Sequence, residues 1–201
     1  MKTSDRFLQR WRIRRASKFI PKGARLLDIG CHQGEIFHLL ARLEIRGIGI
    51  DPLAEITIRS DRFSVIRGWF PGDLPALEQP FDVITALAVV EHIPAEQTSE
   101  FARACASLLM PGGRLIVTVP SPQVDRILAV LTAIRIADGM SLEQHQGFEP
   151  AQVEGIFKPA GIELEHHEKF QFGLNNLFVF TNVVSPDHGH SRAPRLALNR
   201  R

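Results

Sequence analysis

The feature that most narrows the fold lies at residues 25–34. Arg25–Gly30 (RLLDIG) is a short apolar run that ends at a glycine, and Gly34 follows close behind. Helical spacing begins at once, with Ile36, Phe37, Leu39, Leu40 and Leu43 recurring across Glu35–Leu43. An apolar strand that enters a glycine turn and leaves as a helix is the opening half of a β-α-β unit. The alternation continues. Gly47–Ile50 (GIGI) ends at Asp51-Pro52, Phe63–Arg67 is a third run, and Pro71–Pro80 is turn-rich. Phe81–Leu87 reads as a fourth strand. Ala95–Met110 reads as a helix with Phe101, Ala104, Leu108 and Leu109 on one face, and Pro111-Gly112-Gly113 stops it. Arg114–Val119 is the fifth strand. Strands joined by helices predict a mostly parallel sheet covered on both faces, with right-handed crossovers.

After Pro122 the pattern predicts a helix over Val124–Ala137, a polar loop holding His145, and a helix over Pro150–Ala160 that Gly161 ends. Ile162–Phe170 and Leu177–Val183 follow, separated by a few residues that include Gly173 and Asn175-Asn176. They are expected to pair antiparallel as a hairpin. Residues 1–20 read as a basic amphipathic helix with Phe7, Leu8, Trp11 and Phe19 roughly on one side. Residues 21–184 form the body, and 185–201 read as a loose basic tail.

Composition excludes other classes. Of 201 residues, 44% are hydrophobic and 23% charged, enough apolar surface to offset chain entropy in one folded domain. The longest central apolar run, Val83–Val90, is far shorter than the ~20 residues of a spanning helix. The basic start has no apolar stretch of secretory type. Cys31 and Cys105 make no disulfide framework, so a reducing, cytoplasmic setting is expected. Residues 1–25 hold nine Lys or Arg and one acid, while residues 26–185 hold eleven basic and twenty acidic residues. A body with that negative balance is not expected to bind nucleic acid. The basic ends either meet an anionic surface, with the N-terminal helix in weak contact with a membrane, or are solvated. Oligomeric state leaves no mark on the sequence.

The segment LLDIGCHQG places Asp28, Gly30, Cys31 and Gly34 where a strand turns into a helix. Glycines let a ligand approach the backbone, and a helix N-terminus offers free N–H groups, so this reads as a nucleotide-type cradle. Asp51 stands at the end of the second strand, 17 residues after Gly34, where an acid can accept bonds from two ribose hydroxyls. The alternatives are that the glycines only turn the chain and that Asp51-Pro52 only ends a strand. No metal is expected. His166 and His167 are adjacent on a strand and point to opposite faces, and the cysteines lack ligand spacing.

Taken together, LLDIGCHQG, GIGIDP, FDVITALAVVEHI and LLMPGGRLIVTVPSP resemble, in order and spacing, the successive motifs of class I S-adenosylmethionine-dependent methyltransferases. The resemblance covers residues 25 to about 183. It implies an α/β, doubly wound, Rossmann-like sheet of seven mostly parallel strands closed by an antiparallel hairpin, and S-adenosylmethionine as cofactor. Carried over by motif, Asp28, Gly30 and Gly34 line the methionine moiety, with Asp28 reaching its amino group. Asp51 holds the ribose, Pro52 and Leu53 lie beside the adenine, Trp69 meets the adenine edge, and Ala86 and Leu87 lie near the reacting sulfur. The chain departs from the family at His32, where glycine is usual, at Trp69, where aspartate is frequent, and at Ala88, where glutamate is common.

The implied reaction is in-line displacement of the sulfonium methyl by an O, N or C atom of a small-molecule or lipid-like acceptor. Its pocket is expected over the carboxyl ends of the strands, between the N-terminal helix, Val124–Ala137 and the loop His145–Phe148. Glu91-His92 follows the fourth strand. His92 is either a general base or a packed residue beside a loop-orienting Glu91. His145 either orients or deprotonates the acceptor, or bonds the backbone of its loop. Two further readings share the cradle. One is a binding protein that kept the fold and lost catalysis. The other is a nicotinamide-dependent oxidoreductase, although its Gly-x-Gly-x-x-Gly loop is missing.

Overall fold

The computed structural model describes residues 3–55, 57–121 and 150–183. Val124–Ala137, His145–Phe148 and the tail 185–201 lie outside them. The strands are β1 (Arg25–Ile29), β2 (Arg46–Asp51), β3 (Ile58–Arg59), β4 (Phe63–Arg67), β5 (Phe81–Leu87), β6 (Leu109–Pro120), β7 (Ile162–Phe170) and β8 (Asn175–Asn182). They form one sheet in the order β3-β4-β2-β1-β5-β6-β8-β7. β1, β2, β4, β5 and β6 run parallel, with Leu27 beside Ile48 on one side and Ile84 on the other. β8 runs antiparallel to both β6 and β7, as expected for the final hairpin. β1 sits near the middle of the sheet, and Leu26, Leu27, Asp28 and Ile29 are all buried. A strand covered on both faces shows no alternation of polar and apolar residues, which is why RLLDI reads as a continuous apolar run.

The sheet has eight strands where the motif pattern predicts seven. The extra one is β3, two residues long, antiparallel to β4 at the edge. A tight turn returns the chain there: the Ser60 amide donates to the Phe63 carbonyl at 2.9 Å, and the Phe63 amide donates to Ser60 Oγ at 3.1 Å. Two residues cannot display a period in the sequence, so only the turn defines this strand.

Helices cover both faces. On one, α3 (Thr98–Leu108) and α4 (Val153–Phe157) bury Phe101, Ala102, Cys105, Val153 and Phe157 against Ile84, Leu115, Val117, Phe178 and Phe180. On the other, α1 (Thr3–Ala16) and α2 (Glu35–Leu39) pack Ile13, Ala16, Ile36 and Phe37 against Leu26, Val83, Ile116 and Val179. Among the described residues, the predicted helices are each shorter in the structure. Glu35–Leu43 breaks at Leu40 into a 3-10 turn over Ala41–Leu43. Pro150–Ala160 divides into a 3-10 turn, α4 and a second 3-10 turn that ends at Gly161 with φ 78°. The face that α1 buries carries Ile13 and Ala16, with Ile20 just beyond, while Phe7 and Leu8 are exposed and Trp11 and Phe19 half-buried. Among the described residues no helix is long and apolar enough to cross a membrane.

Gly47 allows β1 and β2 to pair closely. Its φ is 151°, and a Cβ there would meet the Leu26 carbonyl oxygen at 1.8 Å. That clash is with backbone, which cannot rotate away. Gly47→Ala is therefore expected to lower the unfolding free energy by about 3 kcal/mol or more, read by urea denaturation. A loss under ~1 kcal/mol would show that the strands separate easily at this point.

Candidate functional site

The loop between β1 and α2 is tied down by backbone bonds. The Gly30 amide donates to the Ile50 carbonyl at 2.9 Å, and the Gly34 amide to the Cys31 carbonyl at 2.8 Å. Gly30 and Gly34 have φ of 74° and 79°, in the left-handed region. A Cβ on Gly30 would lie 2.4 Å from Val89 Cγ2, and one on Gly34 2.8 Å from Val65 Cγ2. Both positions therefore need glycine for conformation and for space. His32, where the related family has glycine, also stands at positive φ (50°). A side chain there costs on the order of 1 kcal/mol. Bonds to neighbours hold it: the His32 amide donates to Asp51 Oδ2 at 2.7 Å, and ring Nδ1 lies 2.9 Å from Glu35 Oε1. The ring is turned toward α2, where Glu35 Oε2 also accepts from the Gln33 amide at 3.1 Å.

Two acids project from adjacent strand ends. Asp28 is buried, and its Oδ1 accepts from Thr85 Oγ1 of the neighbouring β5 at 2.7 Å. Burial pushes its carboxyl up to about 7. The Thr85 bond lowers it, and the charges of Glu35 and Asp51 raise it further. Asp51 is also buried. Its Oδ1 accepts from the Leu53 amide at 2.7 Å while Oδ2 takes the His32 amide. One carboxylate thus joins the first loop to the turn after β2, and each oxygen keeps a further lone pair. Cys31 lies in the same loop, but its thiol turns inward. It packs with Ala54 and Val65, and a Cβ on Gly49 would meet its Sγ at 2.6 Å. Burial pushes the thiol well above its ordinary range, so it is a packed and unreactive group.

The remaining predicted residues take different surroundings. Pro52 is half-buried, whereas Leu53 is 78% exposed and Trp69 72% exposed. They stand just beyond the ends of the paired strands β2 and β4. The Trp69 amide donates to Asp73 Oδ2 at 2.7 Å, so a carboxylate is present at this turn although position 69 lacks one. Ala86 is buried, and Leu87 is half-buried. Ala88 has φ 60° and donates its amide to the Thr118 carbonyl at 2.9 Å. Glu91 and His92 form a 3-10 turn with Val90. His92 is exposed. Glu91 Oε2 is buried without a hydrogen bond, and burial lifts this carboxyl to about 7 against a lowering charge from Arg12. His145 lies outside the described residues.

A small cavity of about 30 Å³ lies between α1 and the cradle. Gln9, Arg12 and Ile13 of α1 face Asp28, Gly30, Cys31, Glu35, Ile36 and Leu87 across it. The space suits no more than a few water molecules. Arg12 lines this space, and its charge acts on the buried carboxyl of Glu91. Sequence reasoning missed Thr85, Arg12 and Asp73 here. Nothing in the chain flags Thr85, which lies 57 residues from Asp28 and meets it only through strand pairing. Arg12 is one of seven basic residues between Arg6 and Lys22, so charge alone does not single it out. Glu35 had a signal, an acid in the first turn of a helix.

A family model described as a methyltransferase domain matches residues 2–167. The chain belongs to the class I S-adenosylmethionine-dependent methyltransferases. The ubiquinone biosynthesis O-methyltransferase of Xanthomonas euvesicatoria pv. vesicatoria is 33% identical over 156 residues, covering 71% of this chain and 64% of that protein. The chain thus spans a little under two thirds of that curated relative. Among solved structures, a methyltransferase from Archaeoglobus fulgidus aligns with a TM-score of 0.64 at 17% identity, covering 88% of this chain and 94% of that one. Magnesium protoporphyrin IX methyltransferase from Synechocystis, solved with S-adenosylhomocysteine bound, aligns with a TM-score of 0.61 at 18% identity, covering 87% and 83%. These two share the fold of this chain.

S-adenosylmethionine is the cofactor of this methyltransferase family, and the residues present fit it. Its amino-acid end carries an ammonium, and Asp28 is a buried carboxyl two residues before Gly30; the cofactor's ribose carries two hydroxyls, and both oxygens of Asp51 keep a lone pair beside the same loop. Asp51 bears on the protein itself before any ligand arrives. Asp51→Ala removes the acceptor for two backbone amides and is expected to lower ligand-free stability by about 1–3 kcal/mol, read by urea denaturation. An unchanged midpoint would show that the His32 and Leu53 amides find other partners.

Proposed function

We propose that this methyltransferase-family chain transfers a methyl group from S-adenosylmethionine to a hydroxyl oxygen of a small acceptor with an apolar body. The observation that carries the reading is the pair of buried acids, Asp28 of β1 and Asp51 at the end of β2, set beside the glycine loop that Asp51 ties down. The oxygen acceptor is supported by the name of the relatives, O-methyltransferases of ubiquinone biosynthesis at 33% identity.

When bound, the cofactor supplies a methyl group on a sulfonium, whose thioether is a good leaving group. Asp28, held by Thr85, takes the ammonium of the amino-acid end, and Arg12 faces its carboxylate. Asp51 offers the ribose hydroxyls the lone pairs that its amide bonds leave over. Leu53 and Trp69 present apolar surface to the adenine. Ala86 and Leu87 keep water from the reacting atoms at the end of β5. His92, exposed on the 3-10 turn that follows β5, takes the proton of the acceptor hydroxyl. His145 is the second candidate for that role. The positioning of donor and acceptor supplies the larger part of the acceleration.

The direct test is incubation of the purified chain with methyl-labelled S-adenosylmethionine and a panel of hydroxylated aromatic compounds with and without alkyl tails. Label on oxygen of the tailed compounds is expected. Label on nitrogen or carbon only would overturn the oxygen assignment, and donor binding without transfer to any compound would support the binding-protein alternative. Binding itself should depend on pH. In the free protein the Asp28 carboxyl holds its proton up to about pH 7, and pairing with an ammonium selects the ionised form. Affinity for S-adenosylhomocysteine is therefore expected to rise from pH 6 to pH 8 by about tenfold, with a proton released on binding near the lower end. Calorimetry in buffers of different ionisation enthalpy reads both. The Asp28→Asn variant should lose the dependence, and a flat wild-type profile would contradict the role given to Asp28.

A further inference from the structure

We propose that the outer face of α1 and the tip of the β7–β8 hairpin form a docking surface for an anionic lipid bilayer. Phe172 at that tip is 95% exposed, and Phe7 on α1 is 63% exposed. Trp11 stands between them, its ring edge-on to Phe7 at 5.7 Å and to Phe172 at 6.1 Å. The three rings make one aromatic strip across two elements distant in sequence. Gln171 fastens them together by donating from Nε2 to the Leu8 carbonyl at 3.2 Å, while its own Oε1 accepts from Asn175.

The tip is held in a conformation that its side chains do not favour. Gln171, Phe172 and Gly173 have φ of 51°, 58° and 82°. The most exposed large hydrophobic residue described thus occupies a left-handed position that suits glycine. Its ring meets Trp11 only at the edge and gains little burial in return. A fold that carries such a residue at that cost has a use for it outside the chain.

Charge selects the partner. Arg10 and Arg14 are exposed and, at 100° per residue, lie within about 60° of Phe7 on the helix. Phe7, Arg10, Trp11 and Arg14 thus share one flank of the helix, opposite Ala16, which enters the core with Ile13. Glu168 of β7 is 3.6 Å from Arg15, on another flank of the helix, and 3.8 Å from His166. Cations interleaved with aromatic rings suit an interface in which rings sit at headgroup depth and guanidinium groups meet phosphates. Nucleic acid is disfavoured by the body behind this surface, since residues 26–185 hold eleven basic and twenty acidic residues. The inner flank of the same helix, Gln9, Arg12 and Ile13, lines the cradle cavity. Docking would thus bring the cleft to the membrane. That the bilayer delivers an apolar acceptor rests on the proposed function, whereas the docking does not.

Co-sedimentation of the full chain with vesicles tests it, without donor or acceptor. Binding is expected to phosphatidylglycerol-containing vesicles, to weaken with salt, and to be slight on pure phosphatidylcholine. Phe172→Gly suits the backbone at that position, so it should fold normally and lower the bound fraction about tenfold. Arg10→Gln with Arg14→Gln should remove the preference for anionic lipid. No sedimentation of the wild-type chain, or equal sedimentation of the variants, would overturn the proposal, as would tighter binding to a single-stranded oligonucleotide than to vesicles. Methyl transfer to a soluble acceptor by a chain that ignores vesicles would leave the function standing and the docking refuted.

Discussion

A carboxyl buried at the end of the central strand is the interaction on which the site depends. Asp28 sits in β1, between β2 and β5, where solvation is poor and neighbouring acids repel it. Left there alone it stays protonated near neutrality, and Thr85 offsets only part of the burial. The fold accepts this because the parallel register sets Thr85 beside Asp28 and aims both at the glycine loop. What destabilises the free protein is what a cationic ligand relieves, and site and stability are coupled through one group.

Much of this was legible in the chain. β1, β2, β4, β5 and the final hairpin lie where apolar runs and glycine turns put them, because strands buried on both faces leave a strong signal even when short. The loop carrying Asp28, Gly30 and Gly34 was legible for the same reason: strand, turn and helix follow within a dozen residues. Helix extents were less so. Leu40 and Leu43 keep a helical spacing, yet the chain tightens into a 3-10 turn after Leu39. The buried face of α1 was not legible, since the wheel carries apolar residues on two sides and only the core decides between them. Ile13 and Ala16 enter it, and Phe7 does not. Bonds such as Thr85 to Asp28 or Gln171 to Leu8 join residues far apart in the chain, and no local pattern encodes them.

The departures from the family pattern each meet a local answer. His32 occupies a left-handed position and is fastened by Asp51 and Glu35. Trp69 brings no carboxylate, but Asp73 reaches the same turn and accepts its amide. The His32 ring adds a bond to Glu35 that glycine could not make, whereas the Trp69 bond comes from its backbone amide. The helix α1 serves two surfaces at once, with Arg12 turned to the cradle and Phe7 to the outside.

The most direct measurement is a crystal structure of the chain with S-adenosylhomocysteine. The amine of its amino-acid end is expected within hydrogen-bond distance of the Asp28 carboxyl, with the ribose hydroxyls on Asp51. Density for the nucleoside elsewhere, or an amine that leaves Asp28 untouched while Asp51 binds no sugar, would contradict the cradle as the donor site.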